Sequence, residues 1–298
     1  MLDRRGLPSF IAAGPRRTAS TWLHAVLAGH VGFPAGVKET QFFDRHYHKG
    51  LCWYAAHFRH CVPGSTIGEI APTYFSSSEA RHRIRSTLPE CKIICTLRDP
   101  VDRLYSLYIL MRQYGWTHLD FEAALEKHPE MMHSSLFATH VSAWFQLFGR
   151  KNVLIMFHED LKSNPEAYLE QFCSFVGIAR PTLLDGRAKV NEGTRAARNY
   201  YVAKGAQHAG NWLRSQRLYG VVNFAKRIGL REFVFGNGDR VPKLNPATAA
   251  ALRRSLLGEI ERLEELLGRD LSAWKHGACS TIPQFHDKPI NGSIATTV

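Results

Sequence analysis

Short apolar runs alternate with stretches of helical period along the first 180 residues of this 298-residue chain. Residues 9–13 (SFIAA), bounded by Pro8 and Gly14, are too few for a helix and read as a buried strand. Residues 19–29 then place Trp22, Leu23, Val26 and Leu27 on one helical face. The run 65–72 (STIGEIAP) reads as a second strand, stopped by Pro72. Residues 77–89 open on serines and an acidic residue, the composition of a helix start. The run 92–97 (KIICTL) predicts a strongly buried strand, and 101–115 (VDRLYSLYILMRQYG) a helix. A helix over 136–149, a strand over 152–157 and a helix over 165–178 follow. Residues 182–243 are basic, rich in Gly and Asn, and read as irregular. Residues 245–268 form a long amphipathic helix with a stripe of Leu252, Leu256, Ile260, Leu263 and Leu267, ended by Gly268. That stripe would dock on its own domain or, alternatively, form a homodimer. Beyond about residue 275 the composition is that of turns.

Strand–helix alternation predicts an α/β fold with a central parallel sheet flanked by helices. The expected organisation is a single domain over 1–298. It has a core at about 8–200, a basic and aromatic segment at 205–243, the helix at 245–268 and a tail at 276–298. In such sheets ligands sit beyond the carboxyl ends of the strands. The loops after residues 13 and 97 both begin there.

Composition narrows the partners. A formal net charge of +12 implies an anionic ligand such as nucleotide phosphates or an acidic polysaccharide. No Lys/Arg block of five or more appears, so a nucleic-acid tail is not indicated. No apolar run reaches the 18 or so residues of a membrane span. The first apolar stretch is also too short for a signal-peptide core, so the chain reads as cytoplasmic or as a domain separated from its anchor. Six cysteines (Cys52, Cys61, Cys91, Cys95, Cys173, Cys279) show no C-x-x-C pair, and no Cys/His cluster has metal-ligand spacing.

The stretch GPRRTASTWLH (14–24) sets two arginines, three hydroxyl residues and little bulk where the first strand meets the first helix. Unpaired backbone N–H groups and the positive end of the helix dipole meet there. Small residues allow close approach, hydroxyls donate and arginines add charge, which suits a phosphate cradle. An N-capped helix with solvated arginines is the plainer alternative. The stretch lacks the Gly-Lys-Ser/Thr end of a Walker A loop, and no strand ends in a metal-binding Asp, which disfavours ATP chemistry.

This loop resembles the 5′-phosphosulfate loop of sulfotransferases that use 3′-phosphoadenosine-5′-phosphosulfate (PAPS). TLRDPVDRLYSLY (96–108) is similar to that family's 3′-phosphate motif, and VKETQFFDRHYHKGLCWYAAHF (37–58) to the stretch after the first helix in heparan-sulfate enzymes. IGEIAPTYF (67–75) resembles a further segment, and the order of the four matches that of the family. Residues 135–178 are similar in spacing to its second half, and 190–199 fall where relatives have a basic loop closing on the 3′-phosphate. The resemblance implies a P-loop-like sulfotransferase fold and cofactor contacts from Arg16, Arg17, Thr18, Ala19, Ser20, Thr21, Trp22, Arg98, Ser106, Arg195 and Arg198. It implies Glu39 as general base, Arg17 as a catalytic cation, and Lys38, Gln41, Trp53 and Tyr74 near the acceptor. No metal is implied. Two departures stand out: Ile70 and Arg17 occupy positions where lysine is usual. The implied reaction moves the sulfuryl group of PAPS to a hydroxyl or amine of a carbohydrate-type acceptor. A small-molecule acceptor, a nucleotide kinase and a non-enzymatic polyanion-binding module are the competing readings.

Overall fold

The computed structural model describes residues 6–183, 197, 199–215, 218–227, 234, 238 and 240–277. Its strands are β1 (Phe10–Ala12), β2 (Gly68–Ile70), β3 (Lys92–Leu97) and β4 (Val153–Phe157). They form a sheet in the order β2-β1-β3-β4 in which each adjacent pair is parallel. A parallel sheet is covered on both faces, which is why these runs are continuously apolar. Pleating sorts them by parity. Ile11, Ile93, Cys95 and Leu97 enter one core, and Phe10, Ala12 and Ile94 the other.

The helices are α1 (Ser20–Leu27), α2 (Leu51–Ala55), α3 (Ser78–Thr87), α4 (Pro100–Gln113), α5 (Phe121–Lys127), α6 (Glu130–His133) and α7 (Phe137–Phe148). They continue with α8 (His158–Ser163), α9 (Pro165–Val176), α10 (Tyr200–Ser215), α11 (Tyr219–Arg227), α12 (Pro246–Leu267) and α13 (Ser272–His276). Side chains cap most of the long ones: Ser77 accepts from Ala80 N, Asp99 from Val101 N and Asp102 N, Asn164 from Ala167 N and Asn245 from Ala247 N. α1 has no side-chain cap.

The α/β architecture expected from the sequence holds, with two corrections. The second strand is only Gly68–Ile70, shorter than the run 65–72. Residues 182–243 are not irregular throughout, since α10 and α11 lie inside them. Among the described side chains of α10 Ala203 alone is fully buried, with Tyr200, Ala206, Gln207 and Leu213 partly so, and so short an apolar stripe gives its sequence a weak helical signal. The stripe of α12 is used within the chain: Leu252, Leu256, Ile260 and Leu263 are buried in the same core as Phe137, Val141 and Trp144 of α7. No helix among the described residues is long and apolar enough to cross a membrane. The tail beyond Gly277 lies outside the described residues.

Candidate active site

At the carboxyl end of the sheet, a cleft of about 620 Å³ opens over the β1–α1 loop. Arg16, Arg17, Lys38, Arg98 and Lys162 line it, with Glu39 as the carboxylate among them. The loop is shaped by close approach. A Cβ on Gly14 would stand 2.4 Å from Thr96 N and Oγ1, so only glycine lets β1 leave the sheet along this path. Thr18, fully buried, donates to Pro15 O at 2.7 Å and shares a hydrogen with Thr96 Oγ1 at 2.6 Å. Its hydroxyl therefore pins the loop to β3, which corrects the expectation that it would face an anion.

Arg17 and Ala19 adopt left-handed φ values of 76° and 71°. Such backbone costs energy outside glycine and persists only where the surroundings enforce it. Here it turns the uncapped N-terminus of α1, with Ala19, Ser20, Thr21 and Trp22, to the cleft. Open N–H groups and the helix dipole make that wall anion-attracting. Beneath the loop lies Arg103, with no exposed surface. It donates to Arg16 O at 3.5 Å, Met131 O at 3.0 Å and Ser134 Oγ at 3.1 Å. Burial and the neighbouring Arg98 pull its guanidinium down to about 9.

The two phosphate motifs of the sequence meet in space. Arg17 Nε donates to Ser106 Oγ at 2.7 Å, and Arg98 Nη1 to Arg17 O at 3.5 Å. Ser106 and Arg98 are both buried, on α4 and at the end of β3. Asp99 caps α4 and receives Arg253 Nη1 at 2.8 Å, while its own N–H donates to Glu159 Oε1 at 2.9 Å. Opposite stands the Lys38–Glu39 pair, 3.9 Å apart and half-buried. Lys38 Nζ reaches Ser20 Oγ at 3.3 Å and Thr21 Oγ1 at 3.1 Å. Burial holds the Lys38 ammonium below its ordinary range, with Glu39 opposing and Arg16 assisting. Arg16 is lowered too, again chiefly by burial, while its guanidinium lies 5.0 Å from the Trp116 ring.

Several expected acceptor residues lie elsewhere. Tyr74 is fully buried, with its hydroxyl on Glu69 at 3.3 Å, so its expected place at the acceptor is corrected. Trp53 stacks on Phe42 and packs against His57, and neither it nor Gln41 lines the cleft. Arg195 and Arg198 lie outside the described residues. Ile70 is wholly buried beside Trp22 and Leu23 in the sheet's second core, with no path to the cleft.

Other cleft residues went unnoticed in the sequence: Leu110, Tyr114 and Trp116 near the end of α4, His158 and Lys162 on α8, and Gln207 on α10. His158 and Lys162 follow the carboxyl end of β4, so the rule that ligands sit beyond strand ends could have found them. Burial, then the charges of Arg98, Lys162 and Arg17, pull His158 down to about 3, so the imidazole is neutral. An extended polyanion laid between the loop and Arg98 would meet cations along its length.

Residues 7–191 match the family described as the Sulfotransferase domain. The human bifunctional heparan sulfate N-deacetylase/N-sulfotransferase 2 is 31% identical over 195 residues, covering 58% of this chain and 22% of that protein. The human N-deacetylase/N-sulfotransferase 3 is 29% identical with the same coverage. This chain thus spans about a fifth of the length of these curated relatives. Among solved structures, a sulfotransferase from Alicyclobacillus acidocaldarius superposes with a TM-score of 0.64 at 20% identity, covering 90% of this chain and 98% of that one.

Proposed function

We propose that this chain, which belongs to the sulfotransferase family, transfers the sulfuryl group of PAPS to a hydroxyl or amine on a carbohydrate-type acceptor. The observation that carries the reading is the hydrogen bond from Arg17 to Ser106, which joins the loop that resembles the 5′-phosphosulfate loop to the stretch that resembles the 3′-phosphate motif at the wall of the cleft lined by Arg17 and Arg98. The carbohydrate class is drawn from the names of the heparan sulfate relatives.

In this reading Arg98 and Ser106 hold the 3′-phosphate, a guanidinium and a hydroxyl donor on rigid elements. The N–H groups of 18–21 and the Arg17 guanidinium stabilise charge on the phosphate oxygen that departs from sulfur. Glu39 takes the proton of the acceptor as its oxygen or nitrogen bonds to sulfur. In the same in-line displacement the bond from sulfur to the phosphate oxygen breaks, releasing 3′,5′-phosphoadenosine. Lys38, bonded to the hydroxyls of Ser20 and Thr21, brings an ammonium to the loop. Glu39 beside it keeps 22% of its side chain exposed and lines the cleft, accessible to an acceptor. The resemblance also assigns Arg195 and Arg198, outside the described residues, to the 3′-phosphate, and the described chain would act as one domain, with α12 tied to the Arg98 turn through Arg253.

Incubation with sulfur-labelled PAPS and a panel of de-N-sulfated and desulfated glycosaminoglycan oligosaccharides, with phenols and glycolipids alongside, tests the reading. Labelled oligosaccharide is expected. Thermal shift by 3′,5′-phosphoadenosine, with none by ATP–Mg²⁺, is expected in parallel; the reverse would establish a kinase instead. Labelling of the small molecules alone would replace the acceptor class.

A further inference from the structure

We propose that Glu69 is the positioning residue for Glu39: a buried carboxylate in the sheet that fastens the loop carrying the base. The inference rests on the reading of Glu39 as proton acceptor and adds the group that holds it in place.

Glu69 is the middle residue of β2, in register with Ile11 of β1 and without exposed surface. Such a position in a parallel sheet is ordinarily apolar, because a carboxylate without partners is costly there. Four donors converge on this one. Thr40 N donates to Oε1 at 2.9 Å and Thr40 Oγ1 to the same oxygen at 2.5 Å. Tyr74 OH reaches Oε1 at 3.3 Å, and Tyr54 OH donates to Oε2 at 2.8 Å. Burial raises the Glu69 carboxyl above its ordinary range and these hydrogen bonds oppose that rise, so the donors favour the ionised form.

The consequence lies one residue upstream of Thr40. Both hydrogen-bond donors of Thr40 end on Glu69, and Thr40 Oγ1 also accepts from Phe42 N at 3.2 Å. Tyr74 OH accepts from Phe43 N at 3.3 Å. Gln41, between them, has a left-handed φ of 52°. The backbone after Glu39 is therefore bent and fixed against β2. Before it, Lys38 is held to Ser20 and Thr21. Glu39 is suspended between two anchors, one in the sheet and one on the anion loop. A carboxylate suits the sheet anchor because it accepts at both oxygens and donates at neither. An amide in its place keeps one acceptor and turns an N–H₂ toward a hydroxyl that is itself buried. Small displacements of a reacting group are expensive in rate, so an anchor this close to the base acts on turnover.

The test compares Glu69→Gln, Thr40→Val, Thr40→Ser and Glu39→Gln in the full chain, measuring kcat with labelled PAPS and 3′,5′-phosphoadenosine affinity by calorimetry. Glu69→Gln and Thr40→Val are expected to lower kcat by roughly 10- to 100-fold. Nucleotide affinity should stay within about threefold of the parent, because neither residue touches the loop of 14–21 directly. Thr40→Ser keeps both donors and should restore kcat to near the parent value. If Glu69→Gln fails to fold, the Thr40 pair carries the same comparison. Loss of turnover and nucleotide affinity together would mark Glu69 as merely structural and overturn the proposal. Full turnover in Thr40→Val and Glu69→Gln, with turnover lost in Glu39→Gln, would overturn it while leaving the base in place. Full turnover in Glu39→Gln would remove the base itself, and the proposal with it.

Discussion

Three residues other than glycine adopt left-handed backbone among those described, Arg17, Ala19 and Gln41, and all three border the cleft or the loop that carries Glu39. Each such residue costs on the order of 1–2 kcal/mol, and the bonds that hold it show what the cost secures. Arg17 is turned so that Nε meets Ser106 while its carbonyl faces Arg98. The resemblance placed Arg17 at the sulfate end and Ser106 at the 3′-phosphate end. The structure brings them into contact, so on the proposed reading one guanidinium would stand between the two phosphate ends of the nucleotide. On the proposed reading, replacing Arg17 with Ala would remove a donor to developing charge and should lower kcat by about 10²–10³, read with labelled PAPS at saturation. Arg98→Ala should instead weaken 3′,5′-phosphoadenosine binding by at least about tenfold, the scale of a lost charge-assisted hydrogen bond. Equal nucleotide affinity in calorimetry would take Arg98 out of the cofactor site. Both arginines were legible in the sequence. The inward turn of Thr18 and Tyr74 was not, because a hydroxyl's direction depends on which strand lies behind it, and Thr96 and Glu69 are distant along the chain.

At the scale of elements, the site is a junction between the ends of β1 and β3 and the starts of α1 and α4. Gly14 permits the approach of the first strand to Thr96. Gly14→Ala would drive a methyl into the β3 backbone and should destabilise the fold by about 1–3 kcal/mol or more, visible as a lower urea midpoint together with weaker nucleotide binding. The other half of the junction is secured from far along the sequence. Arg253 of α12 pairs with Asp99 at 2.8 Å and donates also to Trp274 O, so α12 steadies the cap of α4 next to Arg98. Both side chains of that pair are largely buried, at 14% and 11% exposure. Arg253→Ala leaves the Asp99 carboxylate without its cation and should cost roughly 3 kcal/mol of stability, measured by urea unfolding. An unchanged midpoint would show that α12 contributes packing alone. The sequence marked α12 as amphipathic and left its docking partner open. Its leucines meet α7, a choice that only the packed core could make.

For the molecule as a whole, burial of neutral histidines links stability to pH. His140 is held at about 4 and His158 at about 3, chiefly by burial. An unfolded histidine takes up its proton near 6.5. Between 6.5 and those lower values the unfolded chain binds protons that the folded chain refuses, so stability falls as pH falls through that window. Each ring contributes a slope of up to about 1.4 kcal/mol per pH unit there. Urea midpoints taken from pH 7 to pH 5 should decline on acidification, and His140→Gln, which can still donate toward His133 O, should decline less steeply. Identical slopes in the two proteins would contradict the assignment. Of the architecture, local pattern alone determined much: the apolar runs of β1, β3 and β4, the capped starts of α3, α9 and α12, and a small-residue, arginine-rich loop at a strand end. Those features depend on spacing within a few residues, and a sequence displays such spacing directly. Tertiary structure alone decided that Ser106 meets Arg17, that Lys38 leans on Ser20 and Thr21, and that Glu69 holds Thr40. These contacts join residues 17 to 89 positions apart, and their partners are set by the order of strands in the sheet, which no local period encodes.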